Sequence, residues 1–171
     1  KETEDRLMQA EKQIKAEQKE SQARLQAILN NVPLGMYIKD LDGRLVMINK
    51  SYEELVHETE ENLIGKTVFD INKDKEAAER HVKAANAVKD TLKPVELEDV
   101  LTTNDTQRNV LTIKFPLLNR EGQLFGIGGV CKDVSEEVHN REVLINARLK
   151  AEQAERLQEE FLANMSHEIR T

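Results

Sequence analysis

The sequence predicts an α+β protein: one antiparallel sheet of five strands with helices on one face, flanked at both ends by a long helix. Three observations carry that expectation. Neither Pro nor Gly occurs over residues 2–31 or over residues 134–171, so each end can form an uninterrupted helix. Between them come two short apolar runs, several short helical segments and three longer runs separated by turn residues. Within residues 108–118, Leu111, Ile113, Phe115 and Leu117 alternate with Val110, Thr112, Lys114 and Pro116, the two-residue period of a strand with one apolar face.

In the first segment, residues 1–31, Leu7, Ile14, Ser21 and Ile28 recur every seven residues, with Leu25 and Val32 at the companion position. Glu11 and Gln18 fill the other companion sites, so the seam reads as a marginal coiled coil; the alternative is a solvated helix packed on its own domain. Pro33 and Gly35 end it, and residues 32–133 read as a globular domain. Residues 36–39 and 45–48 flank Asp40-Leu41-Asp42-Gly43, a hairpin signal. Ser51 with Glu54 reads as a capping box, and Thr59 opens a second short helix that Gly65 closes. Asp74 caps a helix over residues 75–91, whose buried face is Ala77, Ala78, Val82, Ala85 and Val88, and Lys93-Pro94 stops it. Strands at residues 95–102, 108–118 and 123–133 are joined by Thr103-Asn104-Asp105 and Asn119-Arg120-Glu121-Gly122. Asp133 is placed to cap the final helix, with Glu136 and Glu137 favourable at its positive end. Along residues 134–158 the apolar positions Val138, Ile145, Leu149, Ala154 and Leu157 lose phase near Ala151, which is either a local change of supercoil or simply poor packing.

The chain ends in FLANMSHEIRT, residues 161–171. Leu162, Met165 and Ile169 lie three and four residues apart and predict a buried stripe, while His167 falls about 200° away from Met165 and Ile169 and points to solvent. Glu168 beside it can polarise the imidazole, and Thr171 shares its face, so a nucleophile, an acid/base partner and a hydroxyl come together. The run Gly126-Ile127-Gly128-Gly129 superficially suggests a phosphate loop, yet it lies inside a strand pattern and precedes no helix start.

Composition narrows the function classes. The 171 residues carry a net charge of -7, with no basic stripe to neutralise phosphates, so no nucleic-acid partner is expected. The single cysteine, Cys131, allows no internal disulfide; it suits a reducing cytosol and reads as a small buried filler. No apolar run approaches the roughly 18 residues of a membrane span, and a start without Met inside one helix, with an end inside another, reads as a segment of a longer protein. No His, Cys and carboxylate spacing suggests a metal site; His57 and His139 lie among charges and read as solvated.

FLANMSHEIRT strongly resembles the H box of sensor histidine kinases. MYIKDLDGRLVMINKSYEEL, NLIGKTVFDI, IKFPLLN and GIGGVCKDVSEE, in that order, resemble a PAS domain over residues 25–137. The resemblance implies a PAS fold with coiled-coil-forming flanking helices, a PAS sensor at residues 32–133, a signalling linker at 134–158 and the start of the dimerisation and phosphotransfer helix at 159–171. It implies that His167 attacks the γ-phosphate of ATP in a homodimeric parent kinase, that Glu168 holds the other ring proton, that Thr171 has a phosphatase role and that Asp133 is a signalling junction. ATP and Mg²⁺ would serve the parent, whose phosphoryl group would pass to the receiver domain of a response regulator; residues 1–171 hold no nucleotide-binding motif and should be inactive alone. The segment would be cytoplasmic, whether or not the parent is anchored in the inner membrane. Met36, Ile38, Met47, Phe69, Ile113 and Phe115 are candidates to line a small-molecule pocket, and equally good core residues. His81 stands where some relatives carry a haem ligand, although a polar or pocket-edge histidine is preferred; no adduct-forming thiol follows Gly65, so a photoactive flavin site is not expected. No cofactor is evident and the PAS ligand is left unnamed. The alternatives are a cofactor- or small-ligand-binding PAS sensor, or a PAS dimerisation module, without phosphotransfer in this segment.

Overall fold

The computed structural model describes residues 2–103 and 106–170, with side chains from residue 5 onward. Helix α1 spans Glu2–Asn31 without a break, as expected of a stretch lacking Pro and Gly. Its apolar positions Leu7, Ile14, Leu25 and Ile28 are all exposed within this single chain. The hairpin β1 (Gly35–Lys39) and β2 (Leu45–Ile48) closes where expected. Asp40 Oδ1 accepts from the backbone N–H groups of Asp42 and Arg44, and Gly43 takes the left-handed conformation at φ 82° that the turn demands.

Three short helices follow: α2 (Lys50–Val56), α3 (Glu60–Leu63) and α4 (Val68–Ile71). The Ser51–Glu54 capping box does not form. Asn49 is the cap of α2, because its amide oxygen reaches the Tyr52 N–H, whereas Ser51 Oγ donates to Val32 O at 2.7 Å. Thr67 and Asp70 form a reciprocal capping box on α4, an element the sequence reading does not separate. Asp74 caps α5 (Lys75–Thr91) by accepting from Glu76 and Ala77, and Leu92 closes it in the left-handed conformation. The fully buried positions on α5 are Ala77, Ala78, Ala84 and Val88; Val82 and Ala85 are only half-buried because they border a cavity.

The remaining strands are β3 (Val95–Thr103), β4 (Thr106–Leu118) and β5 (Leu124–Asp133), and all five form one antiparallel sheet in the order β2-β1-β5-β4-β3. Asn104 and Asp105 of the expected β3–β4 turn lie outside the described residues. The glycine run 126–129 lies within β5, as sheet rather than phosphate loop.

Which face of the sheet packs on the helices is a correction. Val110, Thr112 and Lys114 are the buried residues of β4, while Leu111, Ile113, Phe115 and Leu117 are only half-buried. The register aligns Tyr37, Gly129 and Lys114 across β1, β5 and β4, and places Met36, Val130 and Ile113 together on the other face, with Ile38, Gly128 and Phe115 in the next row. The core lies on the first face: Tyr37, Leu45, Ile48, Tyr52, Leu55 and Val56 form its centre, with the two tyrosine rings edge to face at 5.4 Å.

The second compact unit begins at Val134 and contains α6 (Ser135–Arg170), one continuous helix. None of its residues is buried, so the stripe of Leu162, Met165 and Ile169 expected to be packed is 58%, 43% and 79% exposed. A single copy of the helix has no apolar surface against which to lay that stripe. No helix among the described residues is long and apolar enough to cross a membrane.

Candidate functional site

Asn49 fixes the entrance to the helical layer. Only 2% exposed, it accepts from the N–H groups of Met36 and Tyr52 with its oxygen and donates through its amide nitrogen to the carbonyls of Leu29 and Leu34, at 2.8 to 3.0 Å. All its strong hydrogen-bonding capacity is used, and the end of α1, strand β1 and helix α2 are tied at one point. Tyr52 and Leu55 are thereby aimed at the sheet, where they line a cavity of about 60 Å³. A second cavity of about 230 Å³ shares Tyr37, Lys39, Val68 and His81 with the first and adds Lys114. Both lie between the sheet and its helices.

The polar groups on this interior come from separate elements. Lys114 on β4 is 2% exposed and donates to the Tyr37 hydroxyl at 2.8 Å. The Tyr37 ring can reach it because residue 129, between them in the register, is glycine; a Cβ there would overlap the ring. Lys39 lies 5.2 Å and Lys114 5.4 Å from the centroid of that same ring. Burial lowers Lys114 to about 7, with Lys39 contributing repulsion, and burial lowers Lys39 to about 8. His81 on α5 is lowered to about 4, first by burial and then by the two lysines, so it is a neutral imidazole at pH 7; Asp99 on β3 is 3.9 Å away. Asp99 itself is engaged by Arg80 in a two-pronged pair at 2.7 and 3.0 Å. Burial raises the Tyr37 hydroxyl well above its ordinary value, so it stays protonated and able to donate. Cys131, buried in the core, approaches Thr112 Oγ1 at 3.5 Å, and burial raises its thiol too.

The expected pocket residues divide. Phe69 borders the larger cavity, whereas Met36, Ile38, Met47, Ile113 and Phe115 border neither. Those five carry the alternation phase that faces away from the helices, so the apolar pattern of β4 marks the outward side. His81 borders both cavities, the pocket-edge position. Sequence reasoning missed Lys39, Lys114 and Tyr37; the available signal was the row of one tyrosine and two lysines on the opposite alternation phase.

His167 and Glu168 are exposed in the last turns of α6, and Thr171 lies outside the described residues. Asp133 is the last residue of β5, 3.9 Å from Arg108, and α6 starts two residues later at Ser135. His57 is exposed and within 2.8 Å of Arg108, and His139 is exposed. Among the described residues, no group of three or more His, Cys, Asp or Glu is placed to hold a metal ion.

A five-stranded antiparallel sheet in this order, with helices packed on one face and cavities between the two layers, defines a PAS domain; the PAS fold family matches residues 29–139, and the chain belongs to that family. Its relatives include sensor kinases. It is 29% identical over 150 residues to the virulence sensor protein BvgS of Bordetella pertussis, an alignment covering 86% of this chain and 12% of that protein. It is 28% identical over 155 residues to the cell-division control histidine kinase PdhS of Brucella ovis, covering 86% and 14% respectively. The chain thus spans a small part of the curated relatives it matches. Among solved structures, the PAS domain of Bordetella pertussis BvgS aligns with a TM-score of 0.58 at 22% identity, over 77% of this chain and 98% of that one. A phage VqmA–DPO complex aligns at 0.59 and 21% identity, over 80% and 63%. These likenesses show the fold.

Proposed function

We propose that this chain is the PAS sensor and signal-transmitting region of a homodimeric sensor histidine kinase, and that His167 is its phosphoacceptor. The observation that carries the reading is α6: one helix, unbroken from Ser135 to Arg170, holds the string FLANMSHEIR with His167 on its exposed surface. The similarity of the PAS domain to those of histidine kinases supports the same reading. A neutral imidazole presents one nitrogen lone pair to the γ-phosphorus while the other nitrogen keeps its proton, held by Glu168. The new N–P bond forms as the bond from the γ-phosphorus to the bridging oxygen breaks, and ADP leaves; a bound Mg²⁺ and a nucleotide-binding domain elsewhere in the parent would offset the charge. The phosphoryl group would then pass to an aspartate of a response regulator, under control of the PAS domain through α6.

The test is labelling of the parent kinase with γ-³²P-ATP. Acid-labile label on the wild type and its loss in His167→Gln are expected; undiminished label in that variant would end the assignment.

A further inference from the structure

Lys114 is buried and Lys39 half-buried, and an ammonium drawn from water without a carboxylate partner is costly. The ion pairs of the described residues include neither: Asp99, half-buried on β3, is committed to Arg80. Asp40 and Asp42 border the larger cavity at its solvent side, but Asp40 Oδ1 is taken by two backbone amides of its own turn. The lysines meet the same tyrosine ring, and both border the larger cavity. That cavity is many times the roughly 10–15 Å³ that a single water requires. Its remaining wall joins an apolar stretch of Val68, Phe69, Val82, Ala85 and Ile127 to the polar Thr67, His81 and Lys89, the last donating to Leu41 O. Two unpaired cations, a protonated phenol and an apolar chamber complement a molecule with an anionic head and a small hydrocarbon body.

We propose that the PAS interior binds a small organic anion, its carboxylate seated between Lys39, Lys114 and the Tyr37 hydroxyl and its apolar body in the larger cavity. The inference rests on the sensor reading above and supplies the chemical class of the signal. The other titratable groups bordering the two cavities are His81 and Lys89 on α5, Asp40 and Asp42 in the β1–β2 turn, Asp99 with its Arg80 partner, Tyr52 on α2 and Cys131 on β5; the Lys89 ammonium donates to Leu41 O at 2.7 Å. Among the described residues, no ion pair joins any of these three carboxylates to Lys39 or Lys114. A bound anion would hold both lysines protonated, so binding takes up protons near pH 7 to 8.

The test is isothermal titration calorimetry of the 171-residue chain with benzoate and hexanoate, against benzamide and hexanamide as uncharged isosteres, at pH 6.5 and 9.5. At pH 6.5 the acids should bind at least tenfold tighter than the amides, and this preference should shrink at pH 9.5. Lys114→Met and Lys39→Met, checked for folding by circular dichroism, should each weaken acid binding at least tenfold and leave amide binding within twofold. Amides that bind as well as the acids would overturn the anion inference while leaving a small-molecule sensor intact. No heat from any of the four up to 10 millimolar would overturn it as well, and His167 labelling of the parent would still decide the kinase reading separately. The comparison of acid with amide needs no variant.

Discussion

Replacing Asn49 by Ala removes two accepted and two donated hydrogen bonds together, and leaves the carbonyls of Leu29 and Leu34 short of a donor in a nearly dry place. Loss of a helix cap plus buried unsatisfied groups predicts destabilisation of roughly 2–4 kcal/mol, read as a lower urea midpoint with unchanged slope. The lysines predict a pH dependence of a definite sign. Each has a folded value, about 7 for Lys114 and about 8 for Lys39, below the ordinary 10.5, so the unfolded chain binds more protons between those limits. Their burial penalty is fully present below about pH 7 and fades as pH rises toward 10.5. Unliganded stability should therefore increase between about pH 7 and 9 by roughly 2–4 kcal/mol, before ionisation of the buried thiol and phenols in the unfolded chain opposes it, and Lys114→Met should flatten the rise. A stability curve that falls from pH 7 to 9 by denaturant titration would contradict it. Neither lysine was legible as a site residue, because a lysine within a strand reads as solvent-facing until the packed side of the strand is known.

At the level of single elements, punctuation was the most readable signal. Asp74 and Lys93-Pro94 bound α5 because a side-chain acceptor and a missing N–H act locally, whatever the rest of the chain does. The first turn of α2 was misread since Ser51 and Glu54 have the right spacing, but Asn49, two residues earlier, reaches the Tyr52 N–H first. Strand β4 was placed correctly and turned over: its outward row of Leu111, Ile113, Phe115 and Leu117 is more apolar than its inward row, and periodicity alone ranks faces by hydrophobicity. The β5 glycines separate the two faces experimentally. A methyl at residue 129 meets the buried Tyr37 ring, whereas one at residue 128 meets the half-exposed Phe115 ring, which can swing aside. Gly129→Ala should cost about 1–3 kcal/mol and Gly128→Ala distinctly less, by thermal or urea melts; equal losses would refute the asymmetry.

For the molecule as a whole, the PAS assignment was readable because several weak strings fall in order, and the family match over residues 29–139 agrees. The flanking helices are readable as helices, whereas what their exposed apolar positions pack against is not a property of one chain. Leu7, Ile14, Leu25 and Ile28 on α1, and Leu149, Leu157, Phe161 and Met165 on α6, are all exposed large apolar side chains. We expect sedimentation equilibrium to give a dimer at tens of micromolar protein, and the double change Leu149→Gln with Leu157→Gln to weaken it at least tenfold. A monomer for the unaltered chain at high micromolar concentration would contradict the shared-helix assembly.

The row Tyr37, Gly129 and Lys114 also bears on how such chains diverge. An absent side chain in the middle strand works as a berth in which the phenol lies flat; fill it, and the aromatic must lift off and let go of the amine. Glycine at that place and lysine across from it should then be gained and lost together, so that one codon in β5 sets the dialect in which the chamber reads its guest.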